Sequence, residues 1–232
     1  MIKLVGIGGV ARAGKDTFCK ILIDILKEKG MDGKRFAFAD TLKDELNPFL
    51  IEKFGVDVWN CSSEEKEAIR PMLVAYGKCK RIMSQGTYWT SIVSDKMKDQ
   101  IGYSKKTIPI VTDVRYQEYK NDEGAWIKKM GGVLIHITRE SVIERWEPSI
   151  GKPVNGTTVK RFGDNDVREV YHERSYIEPA NQEEEINDPK ILQQSDFSFV
   201  WKTSDNYKYL KKEVEKFLEQ SGIMKDLIVN GV

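Results

Sequence analysis

The chain has 232 residues, enough for one α/β domain with a sizeable core and no need of a disulfide scaffold. Its 37 Lys and Arg residues nearly balance 36 Asp and Glu, which excludes a global basic field for nucleic acid or an anionic membrane. Any anion site must be local. Three scattered cysteines, Cys19, Cys61 and Cys79, with no C-x-x-C pair and only two histidines, exclude structural zinc and fit a reducing cytoplasm.

Met1 leads straight into a strand-like segment, and nowhere do about 18 consecutive apolar residues occur. A soluble, unsecreted, cytoplasmic protein is expected. Residues 2–10, apolar, β-branched and ending in glycines, suit a buried strand of a parallel sheet. From Asp16 to Lys29, Phe18, Ile21, Leu22, Ile25 and Leu26 recur at helical spacing, and Gly30 supplies a stop. Residues 34–40 read as a second strand delivering Asp40 to a helix mouth, with Thr41 and Asp44 as a capping box for a helix through Phe54.

Ser62 with Glu65 caps a further helix, which Pro71 should kink and Gly77 should end. Residues 78–101 continue as helix broken near Gly86, and 107–112 form a third buried strand with Asp113 and Arg115 just past its end. A short polar helix at 116–129, a fourth strand at 133–138, loops over about 140–195, a fifth strand at 197–201 and a closing amphipathic helix complete the order. Strands alternating with helices imply a parallel sheet flanked by helices, with ligands outside the carboxyl ends of the strands. One domain over 1–232 is expected, with a helical substrate region at about 41–101 and a lid region at about 140–195.

Gly9-Val10-Ala11-Arg12-Ala13-Gly14-Lys15 fits G-x-x-x-x-G-K between a strand and a helix. That context is what a phosphate cradle needs: backbone N–H groups face the phosphates and the lysine reaches the β- and γ-oxygens. The next position normally offers a hydroxyl to Mg²⁺, but here it is Asp16, followed by Thr17. A carboxylate beside a triphosphate calls for a divalent cation between them, so Asp16 or Thr17 is expected to serve the metal, with Asp113 as a strand-end partner. Helix capping is the alternative for Asp113. Asp40 is the candidate general base or acceptor-positioning carboxylate, and Arg115 can fork onto phosphate.

The stretch after residue 138 carries Arg139, Arg145, Lys152, Lys160, Arg161, Arg168 and Arg174. Arg139 and Arg145 are the candidates for stabilising charge on the transferring group. His136 reads as a core histidine. The five tryptophans read as packing, with Tyr88 and Trp89 the candidates for stacking on a nucleobase.

"GVARAGKDT" resembles the phosphate loop of phage-type deoxynucleoside monophosphate kinases, whose hallmark is G-K-D-[ST] after a basic residue. The likeness continues through "FAFADTLKDEL", "IRPMLVAYG", "GTYWTSI", "VTDVRYQEY" and "MGGVLIHITR". Val74 stands where that family has glutamine. "YHERSYIEP" is similar to a lid-side H-x-S-E segment with stretched spacing, involving His172, Ser175 and Glu178. The resemblance implies a three-layer P-loop fold related to adenylate kinases with a lid insertion, use of ATP and Mg²⁺, and a deoxynucleoside 5′-monophosphate acceptor. It also implies viral origin and action in a host cytoplasm. Asp40, Lys43, Arg70, Trp89, Asp113 and Arg115 are then expected at the acceptor, and Gly9, Arg12, Ala13, Gly14, Lys15, Asp16 and Thr17 at the nucleotide. Small molecules are the expected partners, and a homodimer is left open. The loop identifies a donor but not an acceptor, so a dephospho-coenzyme A or phosphomevalonate type of kinase, or a nucleotide-gated binding module, remains as a rival.

Overall fold

The computed structural model describes residues 4–102, 104, 106–148, 158–161, 167–202 and 206–229, with backbone alone described for 141–175, 226, 228 and 229. The first strand, β1 (Val5–Gly8), alternates its faces. Val5 and Ile7 enter one core, while Gly6 and Gly8 leave room on the other for Ile127 and Ile191, whose atoms lie 2.9 Å and 2.5 Å from where a Cβ would sit. A turn at residues 9–14 then leads into α1 (Lys15–Glu28), whose buried stripe of Phe18, Ile21, Leu22, Ile25 and Leu26 follows the spacing read in the sequence.

β2 (Asp32–Phe36) is shorter than expected, because helix α2 (Phe38–Phe54) begins at its doorstep. Asp40 therefore lies in the first turn of α2 and not on the strand. No side chain of α2 caps it: the N-cap is Ala37, so the expected Thr41/Asp44 box is not used. The carboxylate of Asp113 does that work from another strand, its Oδ1 accepting the Phe38 N–H at 2.9 Å and its Oδ2 the Ala39 N–H at 2.7 Å. Two orphan amides of the helix end are satisfied in this way.

In α3 (Ser63–Met83) the capping box forms as read: Glu65 N–H donates to Ser62 Oγ at 3.2 Å and Ser62 N–H to Glu65 Oε2 at 2.7 Å. The helix nonetheless runs through Pro71 and Gly77. A Cβ at Gly77 would meet Leu42 at 2.6 Å, so this glycine lets α3 approach α2 instead of ending the helix. The break comes at Gln85 and Gly86, both at positive φ, before α4 (Thr87–Ile101).

β3 (Thr107–Val114) extends two residues further than expected and includes Asp113. The expected helix at 116–129 is confined to α5 (Glu123–Lys129), because residues 115–122 wrap around the carboxylates of Asp122 and Glu123. The largest departure is β4 (Val133–Pro148), a strand of 16 residues that runs past the expected end at 138. It pairs antiparallel with β6 (Val167–Tyr176), which pairs with β5 (Thr158–Arg161). The stretch expected as loops is a β-arm followed by α6 (Gln182–Gln194). β7 (Phe197–Trp201), α7 (Tyr207–Gln220) and α8 (Ile223–Val229) end the described chain.

Pairing gives a five-stranded parallel sheet, β2-β3-β1-β4-β7, with the arm built on the far half of β4. α1, α7 and α8 bury Phe18, Leu22, Val214, Leu218 and Leu227 on one face. α4, α5 and α6 bury Trp89, Val93, Met97, Ile127 and Ile191 on the other. Burying each such side chain contributes about 1.5–3 kcal/mol. Leu46, Leu50, Val58 and Ile69 form a smaller core between α2 and α3. The result is the expected three-layer α/β architecture, with β1 central and its carboxyl end opening onto the residue 9–14 turn.

Candidate active site

That turn is shaped by left-handed backbone. Gly9, Arg12 and Gly14 have φ of 128°, 65° and 93°. Only glycine fits at residue 9, where a Cβ would run into the Ile137 carbonyl of β4. At Gly14 a Cβ would lie 2.6 Å from Trp201 Nε1. The loop is thus pressed between β4 and β7 and leads directly into the mouth of α1. Lys15 closes it. Its Nζ donates to the Gly9 and Val10 carbonyls, each at 2.7 Å, and burial, reinforced by the Arg115 charge, pushes its ammonium down to about 8.

Asp16 and Thr17 diverge from here. Thr17 lines a cavity of about 320 Å³ together with Gly14, Arg139, Trp201 and Tyr207. Trp201 beside it, 4% exposed, has an Nε1–H with no hydrogen-bond partner among the described residues. Asp16 is turned to the other side, 3.4 Å from Nε of Arg35, which also holds Asp40 at 2.5 Å through Nη1. Lys43 stands 3.9 Å from the other Asp40 oxygen. Arg35 on β2, absent from the sequence expectations, gathers the two carboxylates singled out there.

Next to the loop opens a second cavity, of about 250 Å³, between α2, α3 and the end of β3. Phe38, Leu42, Leu73 and Trp89 give it an apolar wall, and Lys43, Arg70, Lys78, Arg81 and Arg115 give it cations. Trp89 is mostly core: it is buried, its Nε1–H donates to the Gly77 carbonyl at 3.1 Å, and Tyr88 meets it edge-on. Arg70 reaches the cavity while forked onto Glu67 of its own helix.

Arg81 is 2% exposed. It donates to Glu118 at 2.7 Å and Asp122 at 3.3 Å and lies 3.9 Å over the Tyr116 ring, leaving its Nε without a partner among the described residues. Its burial was not legible, since nothing in the sequence separates it from the exposed cations of α3. Glu123 faces the same cavity and accepts the Arg115 and Tyr116 N–H groups at 2.6 and 3.0 Å. Burial, with Asp113 close by, pushes its carboxyl up to about 8. Asp113 is also raised, by burial first, against the lowering effect of its two amide bonds.

Arg115 donates to Glu184 Oε1 at 2.7 Å, and the same carboxylate takes the Ala11 N–H of the loop at 3.0 Å. Glu184 was not singled out in the sequence. The available signal was Asn181 three residues before it, whose side chain accepts the Glu184 N–H and caps α6. Arg139 is brought to the Thr17 cavity by its pairing beside Trp201. The Arg145 backbone pairs with Tyr171 in the arm, and its side chain lies outside the described residues, as do those of Lys152, Lys160, Arg161, Arg168, Arg174, His172 and Ser175. Glu178 is exposed beyond β6. His136 is the core residue expected, buried with Nε2 3.0 Å from Asp188.

Among the described residues no three His, Cys, Asp or Glu side chains gather as a metal cage. Mg²⁺ seldom needs one, taking one or two carboxylates and completing its shell with phosphate oxygens and water. Asp16, 80% exposed on its side chain at the mouth of α1, fits that demand. Asp113 has both oxygens committed to the α2 amides.

Sheet order, central strand and glycine loop define the class: an α/β protein of the P-loop fold. No protein-family model matches the sequence, and no curated protein sequence matches it. Among solved structures the chain is similar to the dephospho-CoA kinase from Campylobacter jejuni, at 16% identity over 95% of this chain and 97% of that one, with a TM-score of 0.40. Among the described residues no helix is long and apolar enough to cross a membrane.

Proposed function

We propose that this protein transfers the terminal phosphoryl group of ATP to a deoxynucleoside 5′-monophosphate, giving the diphosphate. One observation carries the reading: Arg115 stands where the glycine loop and the cation-lined cavity meet, lining the cavity while it shares the Glu184 carboxylate with the Ala11 N–H of the loop. A donor phosphate on the loop and an acceptor phosphate in the cavity would approach each other across that point. The cavity wall suits such an acceptor, with aromatic and aliphatic surface for a base and sugar and cations for a phosphate.

In this mechanism the loop amides and Lys15 hold the β- and γ-phosphates, and Lys15 leaves the two carbonyls it now contacts. Asp16 would hold Mg²⁺, which neutralises charge on the transferring group. Thr17, Trp201 and Arg139 border the cavity that would take the rest of ATP, where the Trp201 N–H, unpaired among the described residues, offers a donor. Arg70 and Arg115 orient the acceptor phosphate, and Lys43 keeps Asp40 directed along the α2 wall. Little covalent chemistry falls to the protein, so alignment and charge stabilisation account for the rate.

The test is to incubate the protein with ATP, Mg²⁺ and each deoxynucleoside or ribonucleoside monophosphate, with dephospho-coenzyme A and phosphomevalonate alongside, and separate the products by chromatography. Conversion of deoxy monophosphates is expected. Conversion of only a coenzyme precursor would replace the acceptor, and ATP binding without any transfer would favour a nucleotide-gated module.

A further inference from the structure

The first turns of α6 grip several walls of this site at once. Glu183 pairs with Lys78 of α3 and lies 3.8 Å from Arg81. Asn187 accepts the Gln117 N–H at 3.3 Å and donates to Glu118 at 3.2 Å. Between them stands Glu184, 5% exposed. Its Oε1 accepts Arg115 Nη1 at 2.7 Å, and its Oε2 accepts the Ala11 and Ala180 N–H groups, both at 3.0 Å. A single carboxylate therefore ties the loop that would carry the donor to the arginine that would meet the acceptor.

We propose that Glu184 is a positioning residue for phosphoryl transfer, fixing Arg115 in register with the tip of the phosphate loop. The proposal rests on the reading of the two cavities given above. Its physical basis is a balance between two effects of one charge. A buried carboxylate beside a phosphate site repels both anionic substrates, so it cannot serve affinity. A free arginine, by contrast, samples many rotamers, and a charge-assisted pair held by two further amide bonds fixes one of them before substrate arrives. Misplacement by about 1 Å at such a junction costs on the order of a hundredfold in rate. Orientation is gained at the expense of binding, and that exchange leaves a kinetic signature.

The variant Glu184→Gln keeps the shape and removes the charge. Its kcat is expected to fall about tenfold to a hundredfold, with KM for ATP and for the monophosphate no higher than in the parent. Because the effect acts through Arg115, adding E184Q to R115A should slow transfer by less than about threefold beyond R115A alone. A second readout needs no activity: hydrogen exchange of the Ala11 amide should be at least about tenfold faster in E184Q. Full kcat in folded E184Q, or losses that multiply in the double variant, would overturn the proposal.

If E184Q does not fold, R115A alone serves, since it leaves the carboxylate in place. Faster Ala11 exchange in R115A supports the shared tie, and unchanged protection overturns it. Should the parent protein phosphorylate no monophosphate, the functional reading fails, and the Ala11 exchange then decides by itself whether Glu184 holds the loop.

Discussion

The two halves of the site are built by opposite means. The glycine loop comes from nine consecutive residues, Gly9 to Thr17, whose shape follows from left-handed backbone at three positions and one lysine folded back on the loop. The cation-lined cavity comes from α2, α3, α4, the end of β3 and α5, and most of its cations are already engaged: Arg70 with Glu67, Lys78 with Glu183, Arg81 with Glu118 and Asp122, Arg115 with Glu184. A local device fails when one residue changes. A distributed one loses function by degrees, because each cation has a carboxylate holding it in place.

That contrast can be broken most severely at Lys15. Replacing it with Met should lower transfer by about a thousandfold or more, some 4 kcal/mol of transition-state stabilisation, with no loss of folding. Single-turnover kinetics alongside thermal melting would check both halves; an unimpaired rate would remove the loop from the chemistry. Gly9→Ala comes next. Its Cβ would strike the Ile137 carbonyl at a φ alien to alanine, so about 3 kcal/mol of stability should be lost, measurable as a drop in the urea midpoint.

On the acceptor side the expected effects are smaller. Arg70→Ala should raise KM for the monophosphate about tenfold while leaving the melting temperature within about a degree, since its ion pair is exposed. Glu123→Gln tests the interior of the cavity. The carboxyl titrates near 8 in the fold against an unperturbed 4.5, so the native state binds the extra proton in between, and stability falls as pH rises through that window. The neutral amide escapes this. E123Q should melt a few degrees above the parent at pH 8 and alike at pH 5, and equal melting at pH 8 would place the charge elsewhere.

Legibility in the sequence followed the same division. The phosphate loop, α1 and the Ser62 capping box are fixed by neighbours within four residues, so their spacing suffices. Asp40 reads as a strand residue in the sequence because its helix start at Phe38 is capped by Asp113, 75 residues further on and adjacent only once β2 and β3 pair. Pro71 and Gly77 read as helix breakers, yet tertiary packing against α2 carries α3 through both. The β-arm reads as loops because an antiparallel ribbon rich in charge lacks the apolar alternation of a buried strand. Glu184, Arg81 and Arg35 carry no such signal either, because a charged side chain declares its role only through the partner that folding brings to it.

Under the proposed function, Lys15 also makes the arrival of a polyphosphate a proton reaction. In the free protein its ammonium titrates near 8, whereas the unfolded chain holds that proton to 10.5. Across that window the unfolded state carries more protons, and this group alone makes the empty protein more stable as the solution becomes more alkaline. A polyphosphate seated on the loop favours the charged amine and draws its pKa back up. Between pH 8 and 10, then, each nucleotide bound as proposed should take up as much as about one proton from the medium. The heat released should change with the ionisation enthalpy of the buffer, and an unbuffered solution should turn more basic as the site fills.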